Sequence, residues 1–505
     1  MRFFISIIIL LSLSNFLEAQ RLTETNYDTT RMKANLEFLA SDFMQGRESC
    51  TEYENIAAEF IASEMKKSDL GTFKENGDYF QKIPVIAKKV QPESSIIALN
   101  ENGEITELKM GSDWIVQPNS FKKMDINEPL QVVFCGYGIT AEEYGYDDYK
   151  DVNVEGKIVL ALWGEPGNDD PEYFEGPKPT KYYGPSFKTG LARLKGAVAM
   201  LFIPDALLDQ YWKYMPRMVM INSVQLADEP EDTTVNLPGA MLSTEAVKGL
   251  LANEEFEYTG LMEMISDTSF EPFMLTKKVV IDINVKRWED EIENVIGVIE
   301  GSDPELKDEI ITIGAHYDHD GTWDGVVYNG ADDNASGTVA VLEVMRRLRS
   351  TSPRRTIVGI LFAGEEKGLL GSKYFVKTYP EKDNIIANIN IDMCGRENVD
   401  SLTSKASEET CAELYKLVQE VDDEMENMGF YYEPGVNSSQ GTSDHASFAK
   451  EGIPAVYFGD KMKDDLHLPS DDANKINYDK IGRTTIVIEE LIRKIDRLDN
   501  KLTIN

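Results

Sequence analysis

The sequence predicts an α/β fold with a mixed, mostly parallel central sheet, helices on both of its faces, and an inserted α/β domain. Three observations predict this fold. Short apolar runs alternate with amphipathic segments in the C-terminal part of the chain, and a histidine-free stretch in the middle repeats that alternation. The 42% hydrophobic content of the 505 residues is typical of a protein that forms cores. Strand–helix alternation favours parallel strands joined by crossover helices, and the chain length favours two or three domains.

The first residues resemble a secretory signal peptide. Arg2 precedes an apolar run from Phe3 to Leu17, and Ala19 then supplies a small residue at a cleavage point. The run is short for a membrane span of about 20 residues. We therefore predict a signal peptide over residues 1–19, a secreted or periplasmic protein, and no membrane span.

The rest of the chain divides by its periodicity. Residues 30–66 have the apolar spacing of helices, and Phe80 to Val116 have the short alternation of strands. We predict one discontinuous domain, residues 20–125 and 277–505, interrupted by an inserted domain over 126–276. In its second part we predict the strands Ile310–Ala315, Thr356–Ala363, Ile385–Ile391 and Ala455–Phe458, and helices over 335–350, 367–379, 408–428 and 478–497.

Charge and cysteine content narrow the class of protein. The formal charge of −37 disfavours a nucleic-acid partner, because phosphates repel such a surface. Four cysteines in a chain of this size do not form a disulfide scaffold. Cys394 and Cys411 are candidates for a pair, with buried free thiols as the alternative. The oligomeric state stays open.

Polar side chains follow the predicted strands in a pattern that suggests metal binding. In parallel sheets the functional crevice lies beyond the carboxyl ends of the strands. These positions hold two imidazoles and several carboxylates: His316, Asp318, Asp333, Glu365, Glu366, Asp392 and His467. One imidazole and one carboxylate for each ion, with another carboxylate between the ions, would suit two borderline cations.

Each of these motifs alone has an ordinary structural explanation, such as a helix cap or a turn, and only their joint placement favours a metal site. His316 and Asp318 face the same way in an extended chain, so Asp318 can hold the second imidazole nitrogen. Glu365 and Glu366 face different ways, which suits one general base and one ligand. His319 is predicted to be a loop or supporting residue. His445 fits a structural hydrogen bond or the wall of a substrate pocket equally well.

The chain resembles the co-catalytic dizinc peptidases that include bacterial leucyl aminopeptidases, aminopeptidase Y and glutamate carboxypeptidases. The segments that carry the resemblance occur in the family's order: "LASDFMQGRE", "GAHYDH", "GADDNASG", "FAGEEKGLLGS", "NIDM", "SDHASF" and "LHLPSD". Residues 126–276 resemble the protease-associated domain that some members carry, through "FCGYGI", "YDDYKDVNVEGKIVLALWG" and "LKGAVAMLFI".

The resemblance implies a role for each matching residue. His316 and Asp392 would bind one zinc ion, Glu366 and His467 the other, and Asp333 both. Glu365 would act as the general base and Asp318 would orient His316. The family also implies a cis peptide between Asp333 and Asn334. Some relatives place a tyrosine as oxyanion donor at the positions that hold Leu466 and Gln440 here, so Gln440, another side chain or the metal remains as the candidate donor.

These observations predict a secreted aminopeptidase that removes N-terminal residues from peptides through a water activated by two zinc ions. Gln440 and His445 are the candidate substrate-binding residues. A carboxypeptidase or dipeptidase on the same scaffold is the nearest rival function, and it would need cations such as Arg354, Arg355 or Arg396 to hold a terminal carboxylate. A glutaminyl cyclase, which uses one zinc, and a non-catalytic binding relative are more distant possibilities.

Overall fold

A computed structural model describes residues 27–504, apart from the short segments 74–76, 117–122, 168–170, 231–236, 255–256, 267–269, 397–399, 407–410, 426–428, 433–440 and 461–463. The predicted signal peptide therefore lies outside the described residues. The chain forms two compact units: residues 1–85, 224–226 and 290–505 belong to the first, and residues 86–223 and 227–289 to the second.

A ten-stranded mixed sheet lies mainly in the first unit. Its strands are Gly71–Thr72, Phe80–Val90, Ser223–Leu226, Val285–Ile299, Ile310–His316, Thr356–Phe362, Ile385–Ile391, Ser401–Lys405, Gly429–Tyr432 and Ala455–Gly459. The four strands predicted after residue 300 are all present, and they pair in parallel as neighbours. Ile310–His316 and Ile385–Ile391 are buried along their whole length, as continuous apolar runs in a covered parallel sheet should be. The mixed α/β fold is thus confirmed.

Helices of the first unit are Thr29–Leu39, Glu52–Lys67, Gly337–Leu348, Leu370–Thr378, Ala412–Glu424, His445–Lys450 and Tyr478–Arg497. The helix predicted over 335–350 begins regularly only at Gly337. Residues Ala331–Ser336 form an irregular turn before it, because the dihedral angles of Asp333 and Asn334 are not helical. A hairpin, Gly321–Trp323 with Val326–Tyr328, follows the strand that ends at His316.

The second unit contains an eight-stranded sheet. Its strands are Ser95–Leu99, Ile105–Leu108, Trp114–Val116, Met124–Phe134, Ile158–Leu162, Ala199–Ile203, Gly239–Leu242 and Phe273–Ile283, and its helices are Pro185–Leu194, Ala206–Gln210, Met215–Met220, Thr244–Leu251 and Tyr258–Ser266. The boundaries expected at 126 and 276 fall inside this unit. The reason is strand pairing, because Phe273–Ile283 pairs with both Ser95–Leu99 and Met124–Phe134.

The chain leaves and re-enters the first sheet through neighbouring strands. Phe80–Val90 and Val285–Ile299 are adjacent in the strand order of the ten-stranded sheet. Just beyond them, the backbone N–H of Gln91 donates to the carbonyl of Asn284 at 2.8 Å. The long segment between these two residues therefore starts and ends at a hydrogen-bonded pair, and it returns to the first sheet in the edge strand Ser223–Leu226.

All four cysteines are free thiols, and Cys394 and Cys411 are both buried. The sequence left open whether Cys394 and Cys411 form a disulfide or are buried free thiols, and in the structure they are buried free thiols. Within the described ranges, no helix is long and apolar enough to cross a membrane.

Arg47 connects the N-terminal segment to the loops that follow the central strand. Its side chain is fully buried. The guanidinium donates to the carbonyls of Leu39 (2.5 Å), Tyr317 (2.7 Å), Asn329 (2.7 Å) and Gly330 (3.0 Å). Burial lowers the pKa of Arg47 to about 10, against the attraction of nearby carboxylates. A planar group with five donors is well suited to satisfy several buried carbonyls at once.

We expect Arg47→Met to lower the free energy of unfolding by about 3 kcal/mol or more, because it leaves buried carbonyls without donors. Arg47→Lys keeps the charge but has fewer, non-planar donors, and should have an intermediate effect. Urea denaturation of the metal-free chains measures both. Equal stability of wild type and Arg47→Met would contradict this role.

Candidate metal centre

Three neighbouring parallel strands bring the predicted site together. Ile310–His316 lies between Thr356–Phe362 and Ile385–Ile391 in the sheet, and His316 is in register with Phe362. Residues that follow the three strands therefore meet at the same edge. Gly314 permits this close packing, since a Cβ on it would lie 2.4 Å from the ring of Phe362.

The first group of donors consists of His316, Asp333 and Asp392, all buried. The Nε2 atom of His316 lies 3.3 Å from Oδ1 of Asp333 and 3.3 Å from Oδ1 of Asp392. Oε2 of Glu365 is slightly farther from the same nitrogen, at 3.9 Å. This is the arrangement expected for three ligands with the general base beside them.

The second group consists of Glu366 and His467 together with His319 and Asp320. Nδ1 of His467 is 3.6 Å from Oε2 of Glu366, and Nδ1 of His319 is 2.9 Å from Oε1 of the same carboxylate. Asp333 connects the two groups. Its Oδ1 faces His316, while its Oδ2 is 3.9 Å from Nε2 of His467.

The main-chain carbonyl of Asp318, rather than its carboxylate, is the nearer acceptor to His316. Nδ1 of His316 is 3.2 Å from that carbonyl and 3.7 Å from Oδ1 of the carboxylate. The Asp318 carboxylate instead accepts the backbone N–H groups of Glu365 (3.0 Å) and Glu366 (3.2 Å) and the hydroxyl of Ser49 (3.2 Å). Asp318 thus orients the imidazole and also fixes the backbone of the two glutamates.

The loop that carries Asp333 is held from two sides. The Asp471 carboxylate accepts the backbone N–H groups of Asp332 and Asp333 at 3.0 Å. The Asn334 side chain donates to the carbonyl of Ile391 at 2.9 Å and accepts from the N–H of Met393 at 3.1 Å. The peptide bond between Asp333 and Asn334 is cis, which confirms the expectation from the resemblance.

The pKa values of the residues at this edge are shifted because many acidic groups are buried together. Burial raises the pKa of Glu366 to about 7 and that of Glu365 well above its usual range, although His467 and His316 oppose the shifts. Burial would lower the pKa of His316, but Glu365 and Asp392 outweigh it and raise that pKa well above normal. Such carboxylates repel one another unless cations lie between them.

The donor set fits zinc in its chemistry and its spacing. Imidazole nitrogens and carboxylate oxygens are common zinc ligands, and two such atoms about 2.0–2.1 Å from a tetrahedral ion lie roughly 3.3 Å apart. The separations around His316 have this value. Access differs between the two groups, because the His467 side chain is 33% exposed and that of His316 only 1%.

The two predicted substrate-binding residues have different outcomes. Gln440 lies outside the described residues. His445 is 1% exposed, and neither ring nitrogen has a hydrogen-bond partner among the described residues. Burial lowers the pKa of His445 to about 3, so the ring is neutral at ordinary pH. Its assignment to substrate binding stays a prediction.

Sequence reasoning missed three residues that support the site. Arg47 and Asp471 stood within quoted motifs, "LASDFMQGRE" and "LHLPSD", but nothing in one sequence shows which carbonyls or N–H groups a side chain will meet. Asp320 follows His319 directly, and only the fold brings it to His467. His319, expected to be a loop or supporting residue, lies against Glu366.

Comparison with known proteins finds a family match over the part of the chain that carries this edge. Residues 294–492 match the model of peptidase family M28. Aminopeptidase YwaD of Bacillus subtilis (strain 168) is 30% identical over 227 residues, which are 40% of this chain and 45% of that protein. A probable glutamate carboxypeptidase of Arabidopsis thaliana is 35% identical over 183 residues, 33% of this chain and 25% of the relative. The chain thus spans less than half the length of these two curated relatives.

Two solved structures have the same architecture over almost their whole length. An aminopeptidase from Aneurinibacillus sp. strain AM-1 aligns with a TM-score of 0.62 and 17% identity, covering 95% of each chain. A zinc aminopeptidase from Bacillus subtilis aligns with a TM-score of 0.61 and 18% identity, covering 93% of this chain and 96% of that one. At such identities the likeness shows the fold alone.

We expect Zn²⁺ to raise the Tm of the metal-free chain, because an ion that binds only the folded state stabilises it by about 2.7 kcal/mol at a hundred times its Kd. Asp333→Asn, which removes the charge shared by both groups, should lose most of this shift. Differential scanning calorimetry measures it, with Mg²⁺ at equal concentration as the control for ionic strength. Equal Zn²⁺ responses in wild type and Asp333→Asn would contradict the site.

Proposed function

We propose, from the membership of residues 294–492 in peptidase family M28, that this chain is a secreted zinc aminopeptidase that uses two ions. It would remove single residues from the N-termini of peptides. One observation carries the proposal: His316, Asp333, Glu366, Asp392 and His467 converge in two adjacent groups. Glu365 lies beside the first of these groups.

The residues divide the work of peptide hydrolysis. His316 and Asp392 would hold one zinc ion, Glu366 and His467 the other, and Asp333 would contact both. Zinc at this edge would lower the pKa of a water toward about 7 and polarise the scissile carbonyl. Glu365 would accept the proton of the attacking water and pass it to the leaving amine. A carboxylate with a raised pKa suits this transfer near neutral pH.

The positions of three arginines disfavour a carboxypeptidase. Arg354 and Arg355 precede the strand Thr356–Phe362, so they lie at the opposite end of the strand from Glu365. Arg355 is buried and pairs with Glu309 at 2.8 Å. Arg396 follows a strand on the correct side, but its guanidinium pairs with Asp465. None of the three is thus placed to hold a substrate's terminal carboxylate.

A glutaminyl cyclase and a non-catalytic relative differ from an aminopeptidase in metal content and turnover. The cyclase would use one zinc ion, whereas the two groups of donors here suit two. A non-catalytic relative would not need the complete ligand set and the base that this sequence retains. Secretion is supported by the apolar run in residues 1–19, and the protease-associated character of the inserted segment remains a prediction from its sequence.

Substitution of the two adjacent glutamates, one at a time, distinguishes the general base from the metal ligand. We expect Glu365→Gln to bind two zinc ions and to lose about 10²–10⁴-fold in kcat, because the amide cannot accept the proton. Glu366→Gln is the matched control on the neighbouring residue and should lose one ion. Zinc analysis and steady-state kinetics measure both. If Glu365→Gln retained near wild-type kcat, Glu365 would not be the base.

A substrate screen tests the direction of cleavage. We expect hydrolysis of peptides with a free N-terminus and an amidated C-terminus, none of N-acetylated peptides, and loss of activity with a chelator. Mass spectrometry should show products shortened by one N-terminal residue. Cleavage of N-acetylated peptides from the C-terminus would indicate a carboxypeptidase. Inactivity of the zinc-loaded chain against the whole library would favour a binding protein.

A further inference from the structure

We infer that Asp320 is a positioning residue for the second metal site. Its carboxylate holds the imidazole of His467 so that the other ring nitrogen is directed at the ion. The inference rests on the metal centre of the proposed function, but not on peptidase activity. It adds a residue outside the five ligands and the general base.

The contact between the two side chains has the geometry of a charge-assisted hydrogen bond. Nδ1 of His467 lies 2.7 Å from Oδ2 of Asp320, within the range of short N–H···O⁻ bonds. The Asp320 side chain is only 5% exposed, whereas that of His467 is 33% exposed. A buried carboxylate thus holds a ring that is itself partly exposed to solvent.

The distance also separates a supporting role from direct coordination. Two atoms that bind one tetrahedral zinc ion lie roughly 3.3 Å apart, as the donors around His316 do. The separation between His467 and Asp320 is clearly shorter. Asp320 therefore accepts a hydrogen bond from the N–H at Nδ1 rather than sharing an ion with that nitrogen.

This hydrogen bond selects the tautomer of His467. If Nδ1 carries the proton, Nε2 keeps its lone pair, and only a neutral nitrogen can bind a metal. Nε2 is the nitrogen that faces Oδ2 of Asp333, at 3.9 Å, whereas Oε2 of Glu366 lies 3.6 Å from Nδ1. The free nitrogen thus lies on the side of the carboxylate shared by both groups. A carboxylate that holds the second imidazole nitrogen also increases the basicity of the ligand.

His467 needs such support more than the two ligands at strand ends, His316 and Asp392. Asp392 directly follows a buried strand and His316 ends one, whereas His467 lies in a loop, and its backbone φ is positive at 52°. Asp320 comes from a well-fixed segment. The backbone N–H of Tyr317 donates to the carbonyl of Phe362, and the backbone N–H of His319 donates to the carbonyl of Arg47. The hairpin begins directly after Asp320, at Gly321.

His319 extends the arrangement to the other ligand. Its ring stacks on that of His467, with centroids 5.8 Å apart and an interplanar angle of 14°. One of its nitrogens is 2.9 Å from Glu366 and the other is 3.5 Å from Asp320. Asp320 thus lies beside both imidazoles of the second group. The loss of its side chain should therefore weaken binding of the second ion rather than the first.

Zn²⁺ titration of the metal-free full chain against a chromophoric chelator tests the inference. We expect two binding steps in the wild type. Asp320→Ala should weaken the second step by about 10–100-fold, the usual effect of losing such a support, and leave the first unchanged. Asp320→Asn keeps an acceptor oxygen and should recover part of the affinity. Asp324→Asn is the matched control, because Asp324 is an exposed carboxylate in the turn of the hairpin that follows Asp320. This variant should bind Zn²⁺ as the wild type does.

Three results would overturn the inference. Unchanged two-step binding in Asp320→Ala would show that His467 needs no such support. A variant that takes up only one ion at saturating Zn²⁺, while still folded by circular dichroism, would make Asp320 a ligand. Equal weakening of both steps would indicate a general structural role. If the wild type binds two ions but cleaves no peptide, the proposed function fails while the inference stands.

Discussion

Concentrated negative charge at one end of the central sheet is the constraint on which this structure depends. Asp318, Asp333, Glu365, Glu366 and Asp392 are almost removed from water, and each has an oxygen 2.9–3.9 Å from a ring nitrogen of His316 or His319. Coulomb repulsion at such distances is strong in a low-dielectric interior. Arg47 supplies one fixed positive charge from the N-terminal segment, but all four of its described hydrogen bonds go to carbonyls. The remaining charge is the reason why an edge of this kind binds metal cations.

The loops around this edge are held mainly through their backbones. Asp318 accepts the N–H groups of the two glutamates, Asp471 accepts those of the Asp333 loop, and Asn334 connects that loop to the end of the next strand. Acceptors that satisfy backbone N–H groups leave the ligand side chains free to point into the site. Such preorganisation keeps donors at metal-binding separation without using the ligands themselves as structural anchors.

Much of the site could be predicted because parallel strands simplify the problem. When buried runs pair in parallel, residues after each run meet at one edge, so His316, Glu366 and Asp392 could be grouped without coordinates. The partners of the Asp318 carboxylate could not be predicted. Nδ1 of His316 lies 3.2 Å from the main-chain carbonyl of Asp318 and 3.7 Å from its carboxylate, and only coordinates distinguish distances so similar. Asp320 follows the same strand, but its contact with His467 spans 147 positions. The unit boundary was missed because Phe273–Ile283 pairs with strands far earlier in the chain.

The adjacency of Gln91 and Asn284 has a consequence for how such chains diversify. A segment whose two ends meet at one hydrogen-bonded pair occupies the place of a tight turn between neighbouring strands. Outside Ser223–Leu226, the strand that this segment adds to the edge of the first sheet, its length and content can change without shifting the register of that sheet. Evolution can therefore vary or enlarge the parts of this segment outside Ser223–Leu226 while the strands that carry the predicted metal ligands are inherited intact, and a protein engineer could graft other modules into those parts.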